Sequence, residues 1–249
     1  MPGSGQDYTW SRPVFEAAFR EFGLPQAIRT DNGSPFATRA LAGLSHLSVW
    51  WIKLGIGVER IDAGKPQQNG RHERMHLTLK KETAQPPQAN GRAQQRRFDA
   101  FRQEFNEKRP HEALSMQTPG SVYVSSPRPY PSREGPLEYP EGWRVRKVKH
   151  KGGLNWKYDE IFLTAVLGGE EVGLEPLTDR YWRAWFGPVP LAIVDSHRRA
   201  MLTASQRRVA GLELDPKKAD AAASAGGKVP SAALQEPSHP QKVLPMCPV

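Results

Sequence analysis

The segment from His72 to His76 carries the pattern His-Glu-x-x-His, which could bind a metal ion. On a helix this spacing puts two imidazoles on one face for zinc and leaves Glu73 as a general base for peptide hydrolysis. Two features oppose that chemistry: Arg71 and Arg74 flank the glutamate, and the further histidine that such peptidases carry beyond a glycine is missing from the residues that follow. The pattern therefore disfavours a zinc peptidase and favours exposed or DNA-facing histidines.

Two carboxylates suit a different metal chemistry. Asp31 follows a short strand-like run, and Glu73 stands at the start of a basic helix. Carboxylates in such positions can coordinate Mg²⁺ through oxygen while a phosphate supplies further ligands. A metal pair lowers the pKa of an attacking water or 3′-hydroxyl and neutralises charge on the leaving oxygen of a phosphodiester. The structural alternative is that Asp31 caps a turn and Glu73 is a solvated residue of a first helical turn.

The residues after Glu73 favour a DNA-facing helix. His76, Leu77 and Lys80 share its face at spacings of three, four and seven residues. Lys80 is expected to contact a DNA phosphate beside the metal. Further positive charge along the duplex would come from Arg71, Arg74 and Lys81. The alternative is that these cations are ordinary surface charges.

The composition of the chain agrees with a polyanionic partner. The 249 residues contain 35 Lys and Arg against 26 Asp and Glu, for a formal net charge of +9. Such a chain is expected to bind nucleic acid with salt-dependent affinity. No apolar run long enough for a membrane span and no secretory signal occur, so we expect a cytoplasmic protein without a membrane partner. The single cysteine, Cys247, excludes an internal disulfide and a Cys-based zinc site.

The first half of the sequence predicts an α/β arrangement in which helices and strands position these residues. The predicted elements are a helix from a Ser11 cap to Gly23, a strand at Ala27 to Thr30, a helix from Leu41 to Leu54, a strand at Val58 to Ile61, a helix from Gly70 to Thr83, and a helix after Asn90-Gly91. Two strands alone make a marginal sheet.

The second half predicts a connector, a small β unit and a tail. Proline recurs through residues 125–140, which predicts an extended linker after a core at residues 1–124. Short β-rich runs with Gly or Pro between them follow, and they predict a barrel of about five strands at residues 141–197. Residues 198–249 are predicted to be a disordered basic tail.

Three runs carry a family resemblance: GLPQAIRTDNGSPF, KPQQNGRHERMHLTLKKE with its Asn-Gly-x-x-Glu-Arg core, and FNEKRPHEALSMQTPGSVY. From about Val14 to Val194 the chain resembles insertion-sequence transposases of the retroviral-integrase superfamily. The resemblance implies a ribonuclease-H-like core whose Asp-Asp-Glu triad binds two Mg²⁺ ions, with Mn²⁺ as a substitute. Such a core cuts element ends and joins their 3′-hydroxyls to target DNA.

Individual residues match the motifs of that family. Asp31 matches the second aspartate and Glu73 the glutamate, which implies that both are catalytic metal ligands. Lys80 matches a basic residue used against DNA near the cut end. The unit at residues 141–197 resembles the small SH3-like barrel that follows the core in some of these transposases and is thought to help hold DNA or a protomer.

The first aspartate of the triad has no match in this chain. In the family it belongs to a strand that precedes the first predicted helix, and Asp7 lies too close to Asp31 to replace it. The resemblance therefore implies an N-terminally truncated or frameshifted transposase with an incomplete two-metal site. We expect such a chain to be inactive alone.

A non-catalytic DNA-binding or regulatory fragment is the second interpretation. Basic residues on the first strand of the β unit, interleaved with Trp143 and Trp156, would then bind DNA without cutting it; they include Arg144, Arg146 and Lys147. The structural alternative makes the tryptophans core residues and the cations a solvated face. The expected partners are element-end and target DNA, with a homo-oligomer or a mixed oligomer with full-length transposase.

Overall fold

The computed structural model describes residues 4–62, 70–156 and 159–216. Its contacts divide these residues into two compact units. The first unit contains residues 4–32, 56–62 and 70–132, and the second contains residues 33–55, 133–156 and 159–216. Within these ranges, no helix is both long enough and apolar enough to cross a membrane.

The elements are given in chain order. The helices are α1 (Ser4–Phe22), α2 (His46–Lys53), α3 (Gly70–Thr83), α4 (Gly91–Glu107), α5 (Pro119–Val122) and α6 (Ala204–Val209). The strands are β1 (Ala27–Thr30), β2 (Gly57–Arg60), β3 (Arg144–Lys147), β4 (Gly153–Trp156), β5 (Asp159–Phe162), β6 (Glu171–Pro176), β7 (Tyr181–Phe186), β8 (Val189–Asp195) and β9 (Ala200–Met201). The described residues thus form a mixed α/β protein, as predicted.

The sheet of the first unit is a parallel pair in which β1 lies beside β2. Arg29 and Glu59 face each other across the pair and form an exposed ion pair at 2.8 Å. The chain at residues 125–128 passes beside the approach to β1, where the Leu24 amide donates to the Arg128 carbonyl at 2.7 Å. Gly23 ends α1 with a φ of +77°, and a Cβ there would lie 2.6 Å from the Ser126 carbonyl oxygen. Only glycine therefore fits this turn.

The start of α1 differs from the sequence prediction. Ser11 was expected to cap the helix, but α1 begins at Ser4 and runs through both Ser11 and Pro13. One reason is a contact one turn earlier, because the Arg12 guanidinium donates to the Tyr8 hydroxyl at 2.7 Å. Pairs four residues apart stabilise the intervening helical turn, so the helix extends past the predicted cap.

The segment predicted as one helix from Leu41 to Leu54 is divided. A 3₁₀ turn covers Leu41–Gly43, and α2 begins afterwards with a capping box in which the side chains of Ser45 and Ser48 each accept the other's backbone amide. Positive φ values at Ala42 (53°) and Gly43 (65°) separate the 3₁₀ turn from α2. The contacts place this segment in the second unit, whereas the sequence placed it in a core at residues 1–124.

The second unit is built on an antiparallel sheet in the order β3-β6-β7-β8-β9, accompanied by the hairpin β4-β5. Its core is formed by side chains with no solvent exposure, including those of Leu174, Phe186 and Ile193. A bridge joins Val148 to Leu154, but the described strands do not form a closed barrel. The β-rich character predicted for residues 141–197 is confirmed by β3 to β8, and β9 lies beyond that range.

Part of the predicted tail is ordered. The strand β9 and the helix α6 both lie between residues 198 and 216, and Thr203 caps α6 by a reciprocal capping box with Gln206. The sequence lacks periodicity in this region because both elements are very short. The rest of the predicted tail, residues 217–249, lies outside the described residues.

Candidate nucleic-acid interface

The two predicted metal ligands lie at the ends of regular elements of the first unit. Asp31 directly follows β1, and its side chain is exposed. The next residue, Asn32, is held in place because its side-chain amide donates to the Ile61 carbonyl at 3.0 Å, beyond the end of β2. Glu73 lies in the first turn of α3 and is also exposed. Both side chains therefore reach the solvent.

The donor chemistry of these residues fits a hard cation in part. Carboxylate oxygens at a strand end and a helix start are suitable ligands for Mg²⁺. Across the described ranges, however, no group of three or more His, Cys, Asp or Glu side chains could hold a metal ion. Asp31 and Glu73 stay predicted ligands, and their catalytic role stays a prediction.

Helix α3 has two distinct faces. Its inner face carries Met75 and Leu79, which are partly covered, and Thr83, which is 1% exposed. The outer face, which we call the α3 outer stripe, consists of Glu73, His76, Leu77 and Lys80. All of these side chains are exposed, at the spacing of three, four and seven residues that aligns side chains on a helix. The predicted helix is present and this face is exposed, whereas its contact with DNA stays a prediction.

Cations of the first unit fall into paired and unpaired groups. Arg20 pairs with Glu16 at 2.6 Å, and Arg102 contacts Glu21 at 3.5 Å. In the described part of the chain, no acidic side chain pairs with the exposed cations of α3, which are Arg74, Lys80 and Lys81, and Arg92 and Arg96 of α4 are exposed and unpaired as well. The unpaired cations on α3 suit a polyanion.

The last turn of α3 is fixed by α4 and the residues after it. Arg109 donates to both carboxylate oxygens of Glu82, each at 2.9 Å, and also to Glu104 at 3.3 Å. Its guanidinium carbon lies 5.7 Å from the ring centroids of both Phe101 and Phe105. Hydrogen bonds from Arg109 lower the pKa of the Glu82 carboxyl, and those to Glu82 raise the pKa of Arg109. We call this group the α3 anchor.

Polar contacts between α3 and α4 extend the anchor. The Gln94 side chain donates to the Thr83 carbonyl at 2.9 Å, and Arg97 donates to the Glu82 carbonyl at 2.8 Å. Asn90 caps α4 by accepting the Ala93 amide at 3.0 Å. The bonds from Gln94 and Arg97 occupy carbonyls at the carboxyl end of α3 that have no partner within the helix.

The roles of Glu82 and Arg109 were missed in the sequence. Arg109 lies in the run FNEKRPHEALSMQTPGSVY, which carries the family resemblance, but nothing local pairs it with a glutamate 27 residues earlier. A bidentate arginine and carboxylate pair is among the stronger polar contacts. The one available signal was Arg109 itself, an arginine without an assigned role in a family motif that follows the predicted helix after Asn90.

The second unit bears on whether the tryptophans and cations at its start form a DNA-binding surface or a core with a solvated face. Trp156 is 6% exposed and contacts Trp182 edge to face at 5.6 Å, so it is a core residue. The predicted DNA-binding residues of β3 are all exposed, namely Arg144, Arg146 and Lys147. Arg144 covers the Trp182 ring at 4.5 Å. Their role in DNA binding stays a prediction.

Comparison with known proteins places one segment in a family. Residues 54–119 match the integrase core domain. The chain is 35% identical over 107 residues to an uncharacterized 31.7 kDa protein of insertion element IS407 from Burkholderia multivorans, which covers 43% of this chain and 36% of that protein.

Viral proteins also match. The chain is 36% identical over 70 residues to the Gag-Pol polyprotein of baboon endogenous virus, covering 28% of this chain and 4% of that polyprotein. It is 34% identical over 70 residues to the Pol polyprotein of radiation murine leukemia virus, covering 28% of this chain and 11% of that polyprotein. The chain thus spans well under half the length of each of these relatives.

The integrase match includes the α3 outer stripe and the α3 anchor, whereas Asp31 lies before its first residue. Both insertion-element and retroviral relatives share sequence with this chain. Through residues 54–119 the chain is therefore similar to the integrase core domain, and it shares sequence with insertion-element and retroviral proteins.

Proposed function

We propose that this protein acts in DNA integration as a transposase catalytic core that binds DNA through the α3 outer stripe. The observation that carries the proposal is an exposed glutamate on a helix inside the integrase match, beside exposed cations that form no ion pair with a described acidic residue. An acidic side chain on a surface that attracts phosphates would be repelled by DNA unless a cation lay between them.

The proposed reaction is transfer of a phosphodiester. The oxygen of a water or 3′-hydroxyl forms a bond to phosphorus, its proton is released, and the bond from phosphorus to the leaving 3′-oxygen breaks. Bound Mg²⁺, or Mn²⁺ in its place, would activate the attacking oxygen and neutralise the leaving one. Asp31 and Glu73 would hold the ion, and Lys80 would position the neighbouring phosphate.

We further propose that this chain alone does not complete the two-ion site. Asp31 and Glu73 supply two carboxylates, and the described residues offer no group of three metal-binding side chains. A two-ion site needs enough ligands to hold both ions against their mutual repulsion. The protein would then bind DNA and act through an oligomer with a complete transposase, while its own strand transfer would be very weak.

The test uses the purified chain with labelled duplex DNA and Mg²⁺ or Mn²⁺. We expect salt-sensitive binding and no strand transfer above background for the wild-type protein. Glu73→Gln serves as the matched variant because it keeps the size of the side chain and removes its charge. If the wild-type protein shows strand transfer and Glu73→Gln does not, the proposal that the two-ion site is incomplete is wrong, and the catalytic role of Glu73 is supported. A chain that does not bind DNA at any salt concentration would refute the function itself.

A second candidate is a regulatory protein that binds DNA through β3. The exposed cations Arg144, Arg146 and Lys147 favour it, because they can contact a backbone without any metal. Replacing these three by glutamine would abolish binding if β3 is the interface. Under the first proposal that variant keeps most of its affinity, and glutamine at Lys80 and Lys81 removes it instead.

A further inference from the structure

A large apolar side chain lies within the charged face of α3. Leu77 is 54% exposed, four residues after Glu73 and three before Lys80, so it stands between them on the outer stripe. Single exposed leucines are common on protein surfaces. This leucine differs in its neighbours: Arg74, Lys80 and Lys81 lie three or four residues away on the same helix, and no described acidic residue forms an ion pair with them.

We propose that Leu77 reads bases: it packs against the 5-methyl group of thymine in the major groove while Lys80 contacts the phosphate backbone. This inference rests on the proposed DNA-binding function and adds a base preference to the same face. A major groove about 12 Å wide admits a helix, and apolar side chains are the usual partners of the thymine methyl. Phosphate contacts alone carry no sequence information, so the leucine supplies what the cations cannot.

The structure also explains why α3 can present this side chain at a defined place. The last turn of the helix is held from its inner side by the α3 anchor, which fixes the rotation of the outer stripe about the helix axis. The Thr78 hydroxyl, next to Leu77 in the chain, donates its proton to the Arg74 carbonyl at 3.1 Å, so that proton is engaged within the helix.

The experiment compares two duplexes that differ only in the methyl group, alternating d(AT) and alternating d(AU). We expect the wild-type chain to bind d(AT) about two- to fourfold more tightly, the effect of burying about one methyl group. Leu77→Ala should remove this preference and keep the salt dependence. Leu77→Met, which keeps the apolar volume, should retain most of the preference.

Lys80→Gln is the matched control on the same stripe. It should keep the methyl preference and reduce the slope of log affinity against log salt by about 0.9, the value for one lost phosphate contact. Equal binding of both duplexes by the wild-type chain, or a preference that survives Leu77→Ala, would overturn the role of Leu77 without affecting the proposed function. A chain that binds neither duplex would overturn both.

Discussion

The two faces of α3 are built in opposite ways. On the inner side, Glu82 is held by two hydrogen bonds from Arg109, and Thr83 is almost fully buried. On the outer side, Glu73, Leu77 and Lys80 are exposed, and Lys80 has no acidic partner among the described residues. Charged residues of the same kinds thus stabilise the fold on one face and stay available on the other.

This difference indicates a division of roles along one helix. Side chains that pair within the protein lose their ability to bind a ligand, while unpaired ones contribute little to stability. A helix fixed through one face can hold the exposed side chains of the other face in a defined orientation. Changes in the anchor should therefore alter stability first, and changes in the outer stripe should alter binding only.

The largest effect on stability is expected from Phe101→Ala. Phe101 is 2% exposed and packs against Phe105 with ring centroids 5.7 Å apart. Removing a buried phenylalanine typically costs about 3–5 kcal/mol, so α3 and α4 should lose most of their protection against hydrogen exchange. Arg96→Ala on the exposed side of the same helix is the control and should have little effect. Unchanged protection in Phe101→Ala would show that this aromatic group does not anchor α3.

A smaller, pH-dependent effect is expected at Glu82. Hydrogen bonds from Arg109 lower its pKa below the ordinary value of 4.5, so folding favours the ionised carboxylate. Its contribution to stability is complete above that ordinary value and is lost as the pH falls through the lowered pKa. Glu82→Gln should be less stable than wild type at neutral pH, by about 1 kcal/mol for a partly exposed pair.

The measurement is the urea midpoint of unfolding, together with hydrogen exchange in α3 and α4, at a series of pH values. The difference between wild type and Glu82→Gln should shrink as the solution becomes acidic. The control is Glu107→Gln, at a side chain of α4 that is exposed. A constant difference at every pH would mean that the Glu82 charge does not stabilise the anchor.

The smallest effect on stability is expected from Lys80→Gln on the outer stripe. Lys80 is exposed and pairs with no described acidic residue, so its replacement should change the free energy of unfolding by less than about 0.5 kcal/mol. Binding to duplex DNA should nevertheless weaken at low salt. A clear loss of stability in this variant would contradict the separation of roles between the two faces of α3.

Much of the first unit was predictable from local pattern. The strand at Ala27–Thr30 and the helices α3 and α4 follow from apolar spacing and from the residues before them, including the Asn90 cap. The start of α1 was not predictable from Ser11, because a contact between Arg12 and Tyr8 supports an earlier turn. The break at Ala42 was missed since leucine spacing alone does not reveal a positive φ.

The sequence by itself determined the integrase motifs and the face of α3 on which Glu73, Leu77 and Lys80 lie. The helical period sets the relative direction of side chains a few residues apart, so no tertiary contact is needed to align them. Only the tertiary structure decided that Arg109 reaches Glu82 and that the residues of α2 lie with the β unit. Such pairings depend on how distant elements pack, and that information is not contained in any local run of residues.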